Sequence, residues 1–383
     1  MNKINKDWKE VKLGDIVDIT MGQSPKSEFY NKRNEGMPFL QGSATFGFMH
    51  PYFETYSSDI KKIAINGSVL MSVRAPVGDL NIANADICIG RGLCSINGKS
   101  NIINRYIFYL LSYYKPKLLN MQKGTTFGAI TKDDILNFKV LIAEDIEEQK
   151  RIASALSKID AYLENTIKLI EEKERFKRGI AKKLLTCKEG ENIPEARFKG
   201  FEDEWEETQI LEFVNNNIIK IEKGKSITKS KIEEGDIPVI AGGKTPPYYH
   251  NKYNYNFPCI TISASGYAGY VWFHDYKIWA SDCHVIYTDN KRYNIKFLYH
   301  YLKNIQDLIY YLQVGGVQKH VYAKDLIKLN IPNITIEEQE KIGGYLSLLD
   351  EEIDNLKKQK ELIKEMKRGA MQKLLSGEVR LLE

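Results

Sequence analysis

Two sets of polar side chains, each interleaved with glycine, carry the chemistry this sequence offers. The first is Gln23, Ser24, Lys26, Ser27, Gln41, Arg74, Arg91, Lys123, Thr125 and Thr126; the second is Lys225, Lys229, Lys244, Thr245, Tyr248, Ser263, Ser265, Tyr267, Lys319 and His320. Lysine and arginine meet phosphate oxygens, and hydroxyl, amide and ring groups reach base edges, so the mixture is that of a nucleic-acid contact surface. Adjacent glycines such as Gly22, Gly242, Gly243 and Gly266 let backbone N–H groups come close to a phosphate. Taken singly, any of these residues reads as a solvated loop side chain. Most of the 23 tyrosines belong to cores and strands, and only those in polar loops, Tyr248 and Tyr267, join the sets.

Catalytic constellations are missing around them. Thr245-Pro246-Pro247-Tyr248 has the outline of the box that amino-methyltransferases use to hold a target amine, but threonine is a poor substitute at its first position. No glycine-rich turn with a downstream acid accompanies it, so the segment reads as a rigid turn presenting Tyr248. No GxxxxGK(S/T) loop occurs, which argues against a motor, and no acidic cluster fits a metal-dependent nuclease. His274-Asp275 and Asp282-Cys283-His284 are isolated groups without ligand spacing. Cys283 and His284, neighbours on a strand, point to opposite faces and make a poor nucleophile pair. Cysteines 88, 94, 187, 259 and 283 fit no CxxC pattern and read as reduced, partly buried thiols.

The elements that must position the two sets are written twice. Residues 147–186 align without a gap to residues 337–376, an offset of 190, with sixteen of 40 positions identical. The identities include Glu147/Glu337, Gln149/Gln339, Asp160/Asp350, Lys177/Lys367, Arg178/Arg368, Gly179/Gly369 and Leu184/Leu374. Upstream, GTTFGAITKDDILNFKV (124–140) keeps the order of features of GGVQKHVYAKDLIKLNI (315–331), and Asp7-Trp8-Lys9-Glu10 is echoed by Glu204-Trp205-Glu206-Glu207. Ile152, Leu156, Ile159, Leu163 and Ile170 in one copy, and Ile342, Leu346, Leu349, Ile353, Leu356, Ile363, Ala370 and Leu374 in the other, follow coiled-coil spacing interrupted at Lys360 and Lys367. About 36 residues at 1.5 Å each give a rod of roughly 54 Å. Two such helices in one chain can pair antiparallel as a spacer between globular parts.

The globular parts, 20–130 and 215–320, read as short strands and loops, with helical segments around 104–114 and 295–312. The expected organisation is a first recognition domain at 1–146, a helix at 147–186, a surface linker at 187–204, a second recognition domain at 205–336 and a helix at 337–383. With 55 Lys and Arg against 50 Asp and Glu, the net charge is only +5, so any nucleic-acid surface must gather its basic groups locally. No apolar run reaches the roughly 18 to 20 residues that cross a bilayer, and the N-terminus lacks a signal-peptide core, so a soluble, cytoplasmic protein is expected.

Seven stretches carry a resemblance over nearly the whole chain: Trp8 to Ile16 (WKEVKLGDI), GTTFGAITKDDI at 124–135, EEQKRIA and EEQEKIG opening the long helices, KRGIAKKLL and KRGAMQKLL closing them, and IPEARFKGFEDEWEE at 193–207. Together they resemble the specificity subunit of Type I restriction–modification systems, the internal duplication being the most specific sign. The resemblance implies an α+β fold in which two target-recognition domains, related by a pseudo-twofold repeat, are joined by two long antiparallel coiled-coil helices. It implies a sequence-specific DNA-binding subunit, not catalytic alone, whose halves each read one part of a split asymmetric target in double-stranded DNA. It further implies two modification subunits carrying S-adenosylmethionine and restriction subunits using ATP and Mg, with no cofactor on this chain. Gly315-Gly316-Val317-Gln318-Lys319-His320 departs from Gly124-Thr125-Thr126-Phe127, so the two loops need not make equivalent contacts. The rival from another class is a coiled-coil scaffold without DNA specificity, which explains the helices but not two divergent polar heads.

Overall fold

Apolar runs set between turn residues become strands covered on both faces: Val69–Ser72 (VLMS) and Cys259–Ser263 (CITIS) are buried throughout. The computed structural model describes residues 8–120 and 129–381. The chain is α+β and divides into two units, one formed by residues up to Lys168 together with those from Lys358 onward, the other by Leu169–Lys357.

In the first unit, a four-stranded antiparallel sheet has the order Val17–Met21, Leu93–Gly98, Val69–Ser72, Leu80–Ile82. A second sheet of short strands contains the parallel pair Met37–Leu40 and Ile87–Ile89, and the two sheets share a core of Leu40, Leu70, Ile87, Ile89 and Leu93. The second unit repeats the plan. Its four-stranded sheet runs Ile219–Lys223, Cys283–Thr288, Cys259–Ser263, Val271–His274, and its parallel pair is Ile237–Ile240 with Trp279–Ala280. Each head closes on a two-stranded ribbon, Trp8–Lys12 with Lys139–Ala143 and Glu206–Gln209 with Asn330–Asn333, that feeds a long helix.

The expected helix near 104–114 extends over Asn104–Asn120, through Pro116. Its counterpart near 295–312 is split at Ile305 into Ile295–Asn304 and Gln306–Tyr311. The long helices are Ile146–Leu185 and Ile336–Leu375, 40 residues each. Within each unit their segments run antiparallel. In the first, Asp160 meets Lys367 at 2.5 Å and Tyr162 meets Gln359; in the second, Lys173 meets Glu352 at 2.7 Å and Lys177 meets Asp350.

Many of the internal identities now have physical reasons. Gln149 and Gln339 hold equivalent posts: each amide donates to the backbone just before its helix, at Ala143 O (2.9 Å) and Ile334 O (2.8 Å), and accepts from Ile103 N and Asn294 N. Asp160 and Asp350 take Lys367 and Lys177, so Lys367, one of the two lysines that interrupt the apolar spacing in the second helix, is an ion-pair partner. Ile152, Leu156, Leu163, Ile170, Ile342, Leu346, Leu349, Ile353, Ile363 and Leu374 are buried.

The segment 187–204 is more than a surface connection. Ala196 N donates to Lys183 O at 2.9 Å, Phe198 packs edge-on against Tyr345, and Arg197 forms a two-pronged ion pair with Glu338, 2.8 Å at each prong. Arg380, beyond the end of the other long helix, grips Glu148 in the same way, at 3.1 and 2.7 Å.

Two buried histidines make the second unit sensitive to acid. Burial lowers His274 to about 3; burial, with Lys177 and Lys296 nearby, lowers His300 to about 3 as well. His274 bonds Thr261 and Tyr276, and His300 bonds Ser347 with the Asp350 carboxylate 4.0 Å from Nδ1. An unfolded histidine takes a proton near pH 6.5, but these folded ones stay neutral until about 3. Stability present above pH 6.5 is therefore lost as pH falls toward 3, by roughly 3 kcal/mol per histidine near pH 4.5. Denaturant titrations at pH 7 and 4.5 check this: His300→Gln should flatten the dependence, and an unchanged pH slope would contradict it.

Candidate nucleic-acid interface

At one edge of the first head, strand ends and glycine turns gather five of the ten residues of the first polar set. The chain leaves Val17–Met21 through Gly22, where a Cβ would stand 2.2 Å from Gly90 O, so only glycine passes. Gln23 N then donates to Ile89 O at 2.9 Å. The Ser24 hydroxyl donates to Gln41 Oε1 at 2.8 Å and accepts from Arg91 N at 3.1 Å. Gly92 N bonds Gln41 O, and Val73 N bonds Gly92 O at 2.9 Å, which sets Arg74 beside this network. Gln23, Gln41, Arg74 and Arg91 are exposed, and neither arginine side chain has an ion pair among the described residues. Lys26 and Ser27 lie further along the exposed loop, where Lys26 faces Glu28 at 3.6 Å. Lys123, Thr125 and Thr126 lie outside the described residues.

The second head builds its edge on the same backbone wiring. Gly224 N bonds Cys283 O as Gly22 N bonds Leu93 O; Ala264 N bonds Asp282 O as Val73 N bonds Gly92 O; Val321 N bonds Ala264 O as Ile130 N bonds Val73 O. Lys225 is fixed by its N–H to Ala280 O and by the Trp279 indole on its carbonyl, each 2.9 Å. Tyr267 N donates to Gly242 O at 2.7 Å, and the Lys244 ammonium sits 4.9 Å from the Tyr267 ring centre. Ser265 donates to the Asp282 carboxylate and pairs through its backbone with His320, whose ring stacks on Tyr322. Lys225, Lys244, Ser265, Tyr267, Lys319 and His320 therefore belong to one edge, with Thr245 exposed next to it.

Three members of the second set stand apart. Ser263 is buried and gives its hydroxyl to Ala241 O, so it supports the edge from behind and does not face solvent. Lys229 and Tyr248 form a separate pair, the ammonium 5.9 Å from the ring centre, and Tyr248 begins the strand Tyr248–His250 that pairs with Val239.

Asp282 was not among the candidate residues, yet it lies at the centre of the second edge. The offset of 190 that relates the helices also relates Asp282-Cys283 to Gly92-Leu93, and it was the available signal. An acid here repels phosphate but can accept from a cytosine amino group, so the heads differ in charge at one structural address. Burial, with Lys177 and Lys244 nearby, lowers the Lys303 ammonium, which lies 4.3 Å from the centre of Tyr270, itself 5.8 Å from Lys244. The cysteines are free, and burial lifts Cys94, Cys259 and Cys283 to about 12, far from the thiolate form. Cys283 Sγ faces Ile240 O while His284 Nε2 bonds Val321 O, so the two make no nucleophile pair.

Known proteins share this plan. The family described as Type I restriction modification DNA specificity domain matches residues 5–172 and 202–365. The putative Type I restriction enzyme MjaX specificity subunit of Methanocaldococcus jannaschii is 44% identical over 191 residues, 49% of this chain, which spans only 45% of that relative. The MjaVIII specificity subunit of the same organism is 23% identical over 410 residues, covering 99% of this chain and 94% of the relative. The crystal structure of a Type I restriction–modification S subunit from M. genitalium covers 98% of this chain and 97% of its own at 19% identity, with a TM-score of 0.71, a likeness of fold.

Proposed function

The chain belongs to the Type I restriction modification DNA specificity family, and we propose that it is the sequence-specific DNA-binding subunit of a Type I restriction–modification complex, each head reading one part of a split, asymmetric target in double-stranded DNA. One observation carries the reading: the same backbone wiring builds an exposed polar edge on both heads, but with Gln23, Gln41, Arg74 and Arg91 on one and Lys225, Lys244, Ser265, Tyr267 and Asp282 on the other. Equal mounting with unequal side chains is what reading two different sequences requires. A scaffold without DNA specificity has no use for it.

On this reading the chemistry is supplied elsewhere: two modification subunits bring S-adenosylmethionine and methylate adenine, and restriction subunits bring ATP- and Mg-dependent cleavage. The place of action is the cytoplasm, in keeping with the absence, among the described residues, of a helix long and apolar enough to cross a membrane. Co-expression with a modification subunit, followed by mapping of methylated adenines, tests the whole reading. A split motif supports it; unmodified DNA with an assembled complex refutes it.

The arginines give a sharper expectation. Each phosphate contact adds about 0.9 to the slope of log affinity against log salt. Arg74→Ala and Arg91→Ala together should lower that slope by about 2, with affinity falling on target and random DNA alike. Filter binding across a salt series measures it, and an unaltered slope would remove these arginines from the phosphate-contacting set.

A further inference from the structure

Resting on the DNA-binding reading above, we propose that the finger 315–319 enters the major groove of the part of the target read by the second head, with Val317 as an apolar probe that reads a thymine methyl. Val317 is 108% exposed, a β-branched apolar side chain that packs against nothing, and Val314 at the base of the same finger is exposed as well. An isolated exposed valine on a floppy loop would mean little. This one is held out.

The base of the finger is closed by reciprocal backbone hydrogen bonds between Val314 and His320, both 2.8 Å. His320 pairs with Ser265 across an isolated bridge, its ring stacks on Tyr322, and Val321 N bonds Ala264 O at 3.1 Å, so the base is anchored to the edge that carries Lys244, Tyr267 and Asp282. Gly315, at φ +115°, and Gly316, with open space about it, let the backbone turn sharply at the tip. Lys319 is exposed beside the tip, placed to meet a phosphate when the tip is in a groove. Among bases only thymine offers a methyl group in the major groove, and an aliphatic side chain is its natural contact. The polar candidates, Lys319 and His320, thus serve as flank and anchor, and the reading group is the apolar side chain that follows the two glycines.

Deoxyuridine differs from thymidine only by that methyl, which gives a direct test. With the chain assembled with its modification subunits, each thymine of the mapped target is replaced in turn by deoxyuridine and affinity is measured by competition. One replacement should weaken binding about fourfold, the worth of one buried methyl, and Val317→Ala should bind thymine and deoxyuridine at that position equally while melting like the parent. The proposal is overturned if no thymine is sensitive, or if Val317→Ala keeps the same sensitivity. Failure of the unmodified target to outcompete random DNA would sink the recognition reading itself, and this proposal with it, before any uridine is introduced.

Discussion

Arg380→Ala should destabilise the first unit by about 3–5 kcal/mol, the cost of leaving a buried carboxylate without its cation. Glu148 has no exposed side-chain surface, and the guanidinium meets it at both oxygens, 3.1 and 2.7 Å. A buried pair adds little over an apolar pair of the same shape, but half a pair is costly, because the remaining charge has lost water and gains nothing. The expected shift in melting temperature is about 6–20 °C, at roughly 2–4 °C per kcal/mol for units of this size. Glu148→Gln added to Arg380→Ala should recover part of the loss by removing the orphaned charge, which a packing defect alone would not allow. Arg197→Ala should cost the second unit less, since the Trp205 indole N–H stays 3.4 Å from Glu338, whereas the matching Trp8 indole has no hydrogen-bond partner among the described residues. Scanning calorimetry of the three variants against the parent decides it; a loss below about 1 kcal/mol for Arg380→Ala would show that the pair does not hold the unit.

These arginine clamps mark the limit of what the sequence displays. Helices, repeat and seam were legible because they depend on residues close in the chain at regular spacing, and Gln149/Gln339 and Asp160/Asp350 aligned without a gap. Arg197 and Arg380 do the same work but stand at different distances beyond Leu185 and Leu375, so no fixed offset pairs them. The recognition edges show the same division. Their residue types and glycines were visible, but Ser263 and Ser265, two positions apart, part company because the first is the last residue of a strand buried along its length and the second follows it into the loop. Lys229 and Tyr248 fell outside the edge because strand order decides which loops meet. Val317 is illegible in the sequence for a chemical reason: hydrogen-bonding character marks a contact residue by type, whereas an apolar side chain stands out only by an exposure that the fold reveals.

Exchanging residues 17–98 for the corresponding segment of another family member should rewrite one part of the DNA target and leave the other intact. The boundaries are set by pairing, since Val17 and Gly98 stand opposite each other at the end of one ladder, so the segment leaves and re-enters the fold at a single point. It carries Gln23, Gln41, Arg74 and Arg91, yet leaves in place the helix Asn104–Asn120, whose Tyr109 bonds Asp160 of the long helix at 2.8 Å. The second unit keeps its own core, including Ile219, Ile260, Ile286 and Phe297, and its own edge. With each mismatched base pair costing about 1–3 kcal/mol, three changed pairs should cut affinity for the original target by about 10²- to 10⁶-fold. Methylome sequencing of cells carrying the hybrid reads the result directly. A motif altered in both parts would mean that the heads do not read independently, and a motif altered in neither would place the reading residues outside 17–98, in the segment that carries Lys123, Thr125 and Thr126.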